Sequence, residues 1–195
     1  SSDLASHSRV MIVEVMDRFA GWIALCAGVP GGADVILIPE IPYDLDRVVE
    51  KIRQREAFGA RFTIIVVAEG VLPSGGTHSV VEAGRPGHLP RLGGAAERLA
   101  ADLRARPIDH EIRVTVLGHL QRGGSPSAYD RVLGTRMGVH AADMCHRGNI
   151  GRMVCLVGTT IRSVPFEQAV GRSKLVDPAG QLCAAARAVG IELGQ

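Results

Sequence analysis

Apolar runs of strand length recur at 10–15, 35–39, 62–68, 112–117 and 153–157, with Val and Ile dominating them. Such runs predict strands buried on both faces, the habit of parallel sheets. Between them the period changes. Asp44 stands where a helix N-cap belongs, and Leu45, Val48, Val49 and Ile52 then recur at i, i+3, i+4 and i+7 with charged residues opposite. Leu92, Ala95, Ala96, Leu99 and Leu103 repeat that logic, as do Val132, Leu133, Met137, Ala141 and Met144, and the alanine-rich stretch 177–190 predicts one more helix. Strand and helix alternate, which predicts an α/β protein forming one continuous unit over 1–195. The stretch 71–90 breaks the alternation. It is dense in Gly, Pro, Ser and His, shows no apolar period, and predicts a flexible surface loop.

Composition narrows the function classes. The 46% apolar and 22% charged content of 195 residues suits a globular core of about one domain. A net charge of +2 without basic runs argues against non-specific binding of nucleic acid or an anionic membrane surface. Only 4% of residues are aromatic, too few for the stacking platforms of single-strand binders. Cys26, Cys145, Cys155 and Cys183 lie far apart with no CxxC pair, which predicts reduced core thiols of a cytoplasmic protein and not a zinc site or disulfide framework. No apolar run approaches the ~20 residues of a membrane span. The chain opens on Ser-Ser-Asp and enters a strand-like run within ten residues, so further sequence is expected upstream.

The segment Arg113-Val114-Thr115-Val116-Leu117-Gly118-His119-Leu120-Gln121-Arg122-Gly123-Gly124-Ser125-Pro126 carries the most chemistry. A strand runs there into polar residues, two glycines and a helix start. Ser125 suits an N-cap and Pro126 the first helical position, while Gly123 and Gly124 allow a tight turn that presents N–H groups to a phosphate. His119 and Arg122 would add charge-assisted hydrogen bonds. The same residues also suit an ordinary strand-to-helix turn with a surface Arg and a His satisfied by backbone.

Gly118-His-Leu-Gln-Arg-Gly-Gly-Ser-Pro126, together with Val13-Glu-Val-Met-Asp-Arg18, resembles the ATP- or pyrophosphate-dependent 6-phosphofructokinase family. Ser6-His-Ser-Arg9, Gly31-Gly-Ala-Asp34, Ile38-Pro-Glu40 and Ala68-Glu-Gly70 extend the likeness, which is good from Ser6 to about Gly151. It implies a Rossmann-like three-layer parallel sheet with flanking helices. It also implies a fructose 6-phosphate site of Met16, Glu69, His119 and Arg122 in one subunit, completed by Arg9 and Arg113 of its neighbour in a dimer or tetramer. Several guanidinium forks around a phosphate monoester are chemically apt, because arginine stays charged and matches the phosphate oxygens. Glu69, at a strand's carboxyl end, could accept hydrogen bonds from sugar hydroxyls, or be simply solvated. Arg18 falls where the family sets an arginine near the transferring phosphoryl group, to stabilise its spread charge. Asp17 stands where many members have Gly, which puts a carboxylate beside the expected substrate site.

The resemblance also implies what lies elsewhere. The family's Gly-Gly-Asp donor loop and its Thr-Ile-Asp-Asn-Asp segment, whose Asp is the general base, do not occur in this sequence. The ligands for Mg2+ and for ATP or pyrophosphate are therefore expected in an amino-terminal half that the chain lacks. The isolated chain is expected to be inactive, with Val132, Leu133, Met137 and Met144 left without their usual cover. Asp34 aligns with an acidic residue of a bacterial effector pocket whose basic partners are replaced here by Phe58, Ala60 and Phe62, so regulation of that kind is not expected. A non-catalytic sugar-phosphate-binding or regulatory module of the same fold is the alternative.

Overall fold

The computed structural model describes residues 8–77, 80–82, 91–170 and 173–195. In chain order the elements are β1 (Arg9–Val15), α1 (Trp22–Gly28), β2 (Val35–Leu37), α2 (Leu45–Ala57), β3 (Phe62–Ala68), β4 (Val80–Glu82), β5 (Arg91–Leu92), α3 (Ala95–Arg104), β6 (Glu111–Val116), α4 (Ala128–His146), β7 (Arg152–Val157), β8 (Thr160–Pro165), α5 (Phe166–Ala169) and α6 (Gln181–Ala188). They group into two compact units where the sequence suggested one. The larger runs to Gln121 and resumes at Lys174–Gln195; the smaller is Arg122–Ser173.

The larger unit is built on a parallel four-stranded sheet of order β2-β3-β1-β6. Successive strand side chains point to opposite faces, and the sheet sorts its residues accordingly. Val10, Ile12, Val35, Leu37, Ile65 and Val67 meet α2 and α3 on one face, in a core with Val48, Ile52, Leu99 and Leu103. Val15, Ile36, Val66 and Ala68 meet Ala24 and Leu25 of α1 and Cys183 and Ala186 of α6 on the other. Helix, sheet and helix thus form the three expected layers. Each fully buried Ile, Leu or Val of these cores contributes roughly 1.5–3 kcal/mol relative to exposure. α2 begins as expected, with the Asp44 carboxylate accepting the Asp46 N–H at 2.9 Å.

Five sequence expectations are corrected. Run 153–157 is not a parallel strand of the main sheet. It lies in β7, which pairs antiparallel with β8 inside the smaller unit, because a tight turn at 158–159 returns the chain directly. β6 is parallel but largely unburied, unlike β2 at the opposite edge, because the α1–α6 core on one face takes in no β6 residue. Residue 92 lies in β5, paired with β4, and the helix begins at Ala95. That β4–β5 pair falls partly inside the stretch expected as a loop; residues 78–79 and 83–90 of it lie outside the described residues. Of the cysteines, all free, only Cys183 is buried, while Cys26 and Cys145 are exposed.

In the smaller unit, α4 packs with β7 and β8. Its cap is Ser127, not Ser125: the Ser127 hydroxyl accepts the Asp130 N–H at 3.3 Å and the Asp130 carboxylate accepts the Ser127 N–H at 2.8 Å. This reciprocal pair satisfies two orphan donors of the first turn. Along α4, Val132 is exposed, Leu133 and Met137 are half-buried and Met144 is buried.

Candidate functional site

The carboxyl ends of β1 and β3 are locked together by backbone. Glu69 N–H donates to Val15 O at 3.0 Å and Gly70 N–H to Asp17 O at 3.0 Å. Gly70 is required here, because a Cβ on it would sit 1.8 Å from the Arg18 carbonyl oxygen. Met16, Asp17, Arg18 and Glu69 are thereby brought to one edge of the sheet. The turn after β6 joins them: Met16 N–H donates to the Gln121 side-chain oxygen at 3.3 Å, and the Gln121 amide donates to Gly118 O at 3.2 Å. Gln121, to which the sequence assigns no role, thus ties this turn to the end of β1. His119 is exposed within the 3-10 turn Gly118–Arg122, which stands where a direct strand-to-helix passage was expected. Arg122, Gly123 and Gly124 belong to the smaller unit and are exposed, and Gly124 takes φ +97°, a backbone state open to glycine.

Asp17 does not face that edge. Its carboxylate, 4% exposed, accepts the Ile23 N–H at 3.2 Å and the Ala24 N–H at 2.6 Å, and so caps α1 from outside the helix. Burial pushes its pKa above the ordinary carboxylate value, the two N–H donors pull the other way, and the Glu40 charge adds to the rise. Glu14, equally buried, does the same service on the opposite face by accepting the Ala96 N–H of α3 at 2.9 Å. Glu40 accepts Gly21 N–H and Val176 N–H, at 3.1 and 2.8 Å. Arg18 is half-buried in the β1–α1 turn, and its guanidinium carbon lies 5.1 Å from the Phe19 ring centroid.

Arg9 and Arg113 stand elsewhere. Arg9 opens β1 opposite Glu111, and Arg113 lies opposite Met11. Arg9 and Met16 are seven residues apart along β1, which is about 23 Å at the rise of an extended strand. Glu111 bridges the two arginines: Arg9 Nε donates to Oε2 at 2.9 Å, and Arg113 Nε and Nη2 donate to Oε1 at 2.9 and 2.7 Å. These bonds, Arg113 before Arg9, hold the Glu111 carboxyl below its ordinary pKa. The signal in the sequence was the Glu-x-Arg spacing on a strand, which puts both side chains on one face.

At Asp34, the carboxylate accepts the Ile64 N–H at 2.9 Å and pairs with Arg55 Nε at 3.0 Å, so the cation found there is already engaged. Phe58 and Phe62 are exposed.

The chain is an α/β protein with polar and charged groups gathered at the carboxyl edge of a parallel sheet, the place where such folds set ligand-binding groups. Comparison with known proteins sharpens that class. The phosphofructokinase family profile matches residues 1–145. ATP-dependent 6-phosphofructokinase 2 of Clostridium perfringens is 50% identical over 187 residues, covering 95% of this chain and 51% of the relative. An ATP-dependent 6-phosphofructokinase of Mycobacterium bovis is 51% identical over 177 residues, covering 90% and 51%. Phosphofructokinase from Saccharomyces cerevisiae matches in structure with a TM-score of 0.68 and 32% identity, over 85% of this chain and 21% of that one. A pyrophosphate-dependent phosphofructokinase from Marinobacter aquaeolei shares the fold, with a TM-score of 0.72 at 22% identity over 97% and 50%. The chain belongs to the phosphofructokinase family. It spans about half the length of the curated relatives it matches.

Proposed function

We propose that this chain is the sugar-phosphate-binding half of a cytoplasmic 6-phosphofructokinase, which transfers a phosphoryl group to O1 of fructose 6-phosphate and yields fructose 1,6-bisphosphate. The observation that carries this reading is the gathering of Met16, Arg18, Glu69 and the β6 turn at one sheet edge in a chain of this family. Met16 and Glu69 would hold the sugar, and His119 with Arg122 its 6-phosphate. Arg18 would face the charge that develops on the transferring group, where a fixed cation lowers the barrier.

Arg9 and Arg113 serve the same clamp from a second copy of the chain. A strand's length separates Arg9 from Met16, which supports supply across a subunit contact in a homodimer or homotetramer. Exchange of this kind is what a two-fold interface offers.

The donor, ATP or pyrophosphate, and Mg2+ would be held by residues outside this chain. Among the described residues no group of three or more His, Cys, Asp or Glu side chains could hold a metal ion. No helix among them is long and apolar enough to cross a membrane.

Calorimetry with fructose 6-phosphate on the wild type and on Arg122→Ala tests the clamp. Loss of one charge-assisted phosphate contact should weaken binding about tenfold or more. Equal affinities would overturn the clamp, and a full-length protein inert with both donors would overturn the kinase.

A further inference from the structure

We propose that Glu111 is the positioning residue of the phosphate clamp, a shared carboxylate that holds Arg9 and Arg113 side by side and aims their remaining donors at the sugar phosphate. The inference rests on the reading of those two arginines as phosphate ligands.

The sheet supplies the placement. Glu111 and Arg113 are two apart on β6 and share a face, and parallel register sets Arg9 directly opposite Glu111. Three charged side chains therefore meet on a face that the α1–α6 layer, packed on β2 and the carboxyl ends of β1 and β3, leaves uncovered. All three remain partly exposed, with side-chain accessibilities of 45% for Arg9, 38% for Glu111 and 56% for Arg113.

Two guanidiniums so close repel one another, and each long side chain loses rotamer freedom when fixed. A lone phosphate would meet both costs on binding. Glu111 meets them beforehand. It gives one oxygen to each arginine, and on Arg9 it engages Nε alone, so both Nη groups keep their donors. On Arg113 it takes Nε and Nη2 and leaves Nη1. The triad keeps a net charge of +1, still attractive to a phosphate monoester, and presents guanidinium edges already oriented. Preorganisation of this sort raises affinity by reducing what must be ordered on binding.

A carboxylate beside an anion site could equally be a competitor, and the sign of one substitution separates the two roles. Glu111→Gln removes the charge with little change of shape. In the full-length protein a positioning role raises the KM for fructose 6-phosphate roughly five- to tenfold with kcat within about twofold, because only ground-state and transition-state binding shared alike is lost. Glu111→Asp should recover part of that loss. In the same variants, the Nε–H resonances of Arg9 and Arg113, slow to exchange with water in the wild type, should exchange fast in Glu111→Gln. An unchanged or lower KM, or Nε–H signals that do not respond, overturns the proposal. Arg9→Ala and Arg113→Ala keep the two levels apart. If they too leave KM unchanged, the clamp itself is wrong; if they raise it while Glu111→Gln does not, only the role of Glu111 falls.

Discussion

Asp17 is buried, and its carboxylate ties the end of β1 to the first turn of α1. Beside Met16 and Arg18 in the chain, it reads as a substrate neighbour, yet its carboxylate is spent on the Ile23 and Ala24 N–H groups. Asp17→Ala should cost about 1–2 kcal/mol, the usual worth of a helix cap, measured by urea unfolding. Asp17→Asn, which keeps one acceptor, should cost less. The pH dependence follows from the raised pKa. In the folded state the ionised form is penalised by burial, so this penalty is full above the raised value and is lifted as pH falls through it toward the ordinary 3.8. The stability of the wild type relative to Asp17→Asn should therefore improve from neutral pH into that window; a constant difference would refute the assignment.

Among the elements, α4 shows how a cap is chosen. Ser125-Pro126 has the composition of a helix start, but Ser127 has Asp130 three residues on, and the reciprocal pair wins because it satisfies two donors instead of one. Ser127→Ala should lower the smaller unit's stability by about 1 kcal/mol, whereas Ser125→Ala should stay within about 0.5 kcal/mol, both read from helical circular dichroism in urea. The Asp130 carboxyl, held below its ordinary pKa first by the Ser127 hydroxyl and then by its N–H, supports the helix above the ordinary carboxylate value and ceases to do so as pH falls through the depressed one.

For the whole molecule, the decisive fact is that the residues proposed here to bind the sugar phosphate occupy, in the larger unit, two places on one sheet. Met16 and Glu69 are at its carboxyl edge, while Arg9 and Arg113 lie toward the start of β1 and within β6. A site assembled across copies predicts complementation. In the full-length protein, Arg113→Ala and His119→Ala should each be impaired alone, and mixed subunits should regain activity at about a quarter of the sites in a random two-fold assembly. Mixtures no better than the separate variants would place every ligand in one chain.

Much of this was legible along the chain. The Val-Ile runs of β1, β2, β3 and β6 specify parallel strands, whereas run 153–157 takes an antiparallel partner; Asp44 with its apolar i+3, i+4 pattern specifies α2, and the Gly118–Pro126 and Val13–Arg18 motifs specify the family, because each rests on residues close together in the chain. The sequence could not assign Asp17 to α1, Glu14 to α3, or Glu111 to two arginines, one of them 102 positions distant. A carboxylate's role depends on which N–H groups or cations reach it within about 3 Å, and that is settled by strand register and by which face of the sheet each helix covers. The residue types at the site were thus determined by sequence alone. Which of them meet a ligand, which cap a helix and which steer a neighbour was decided only when the sheet formed.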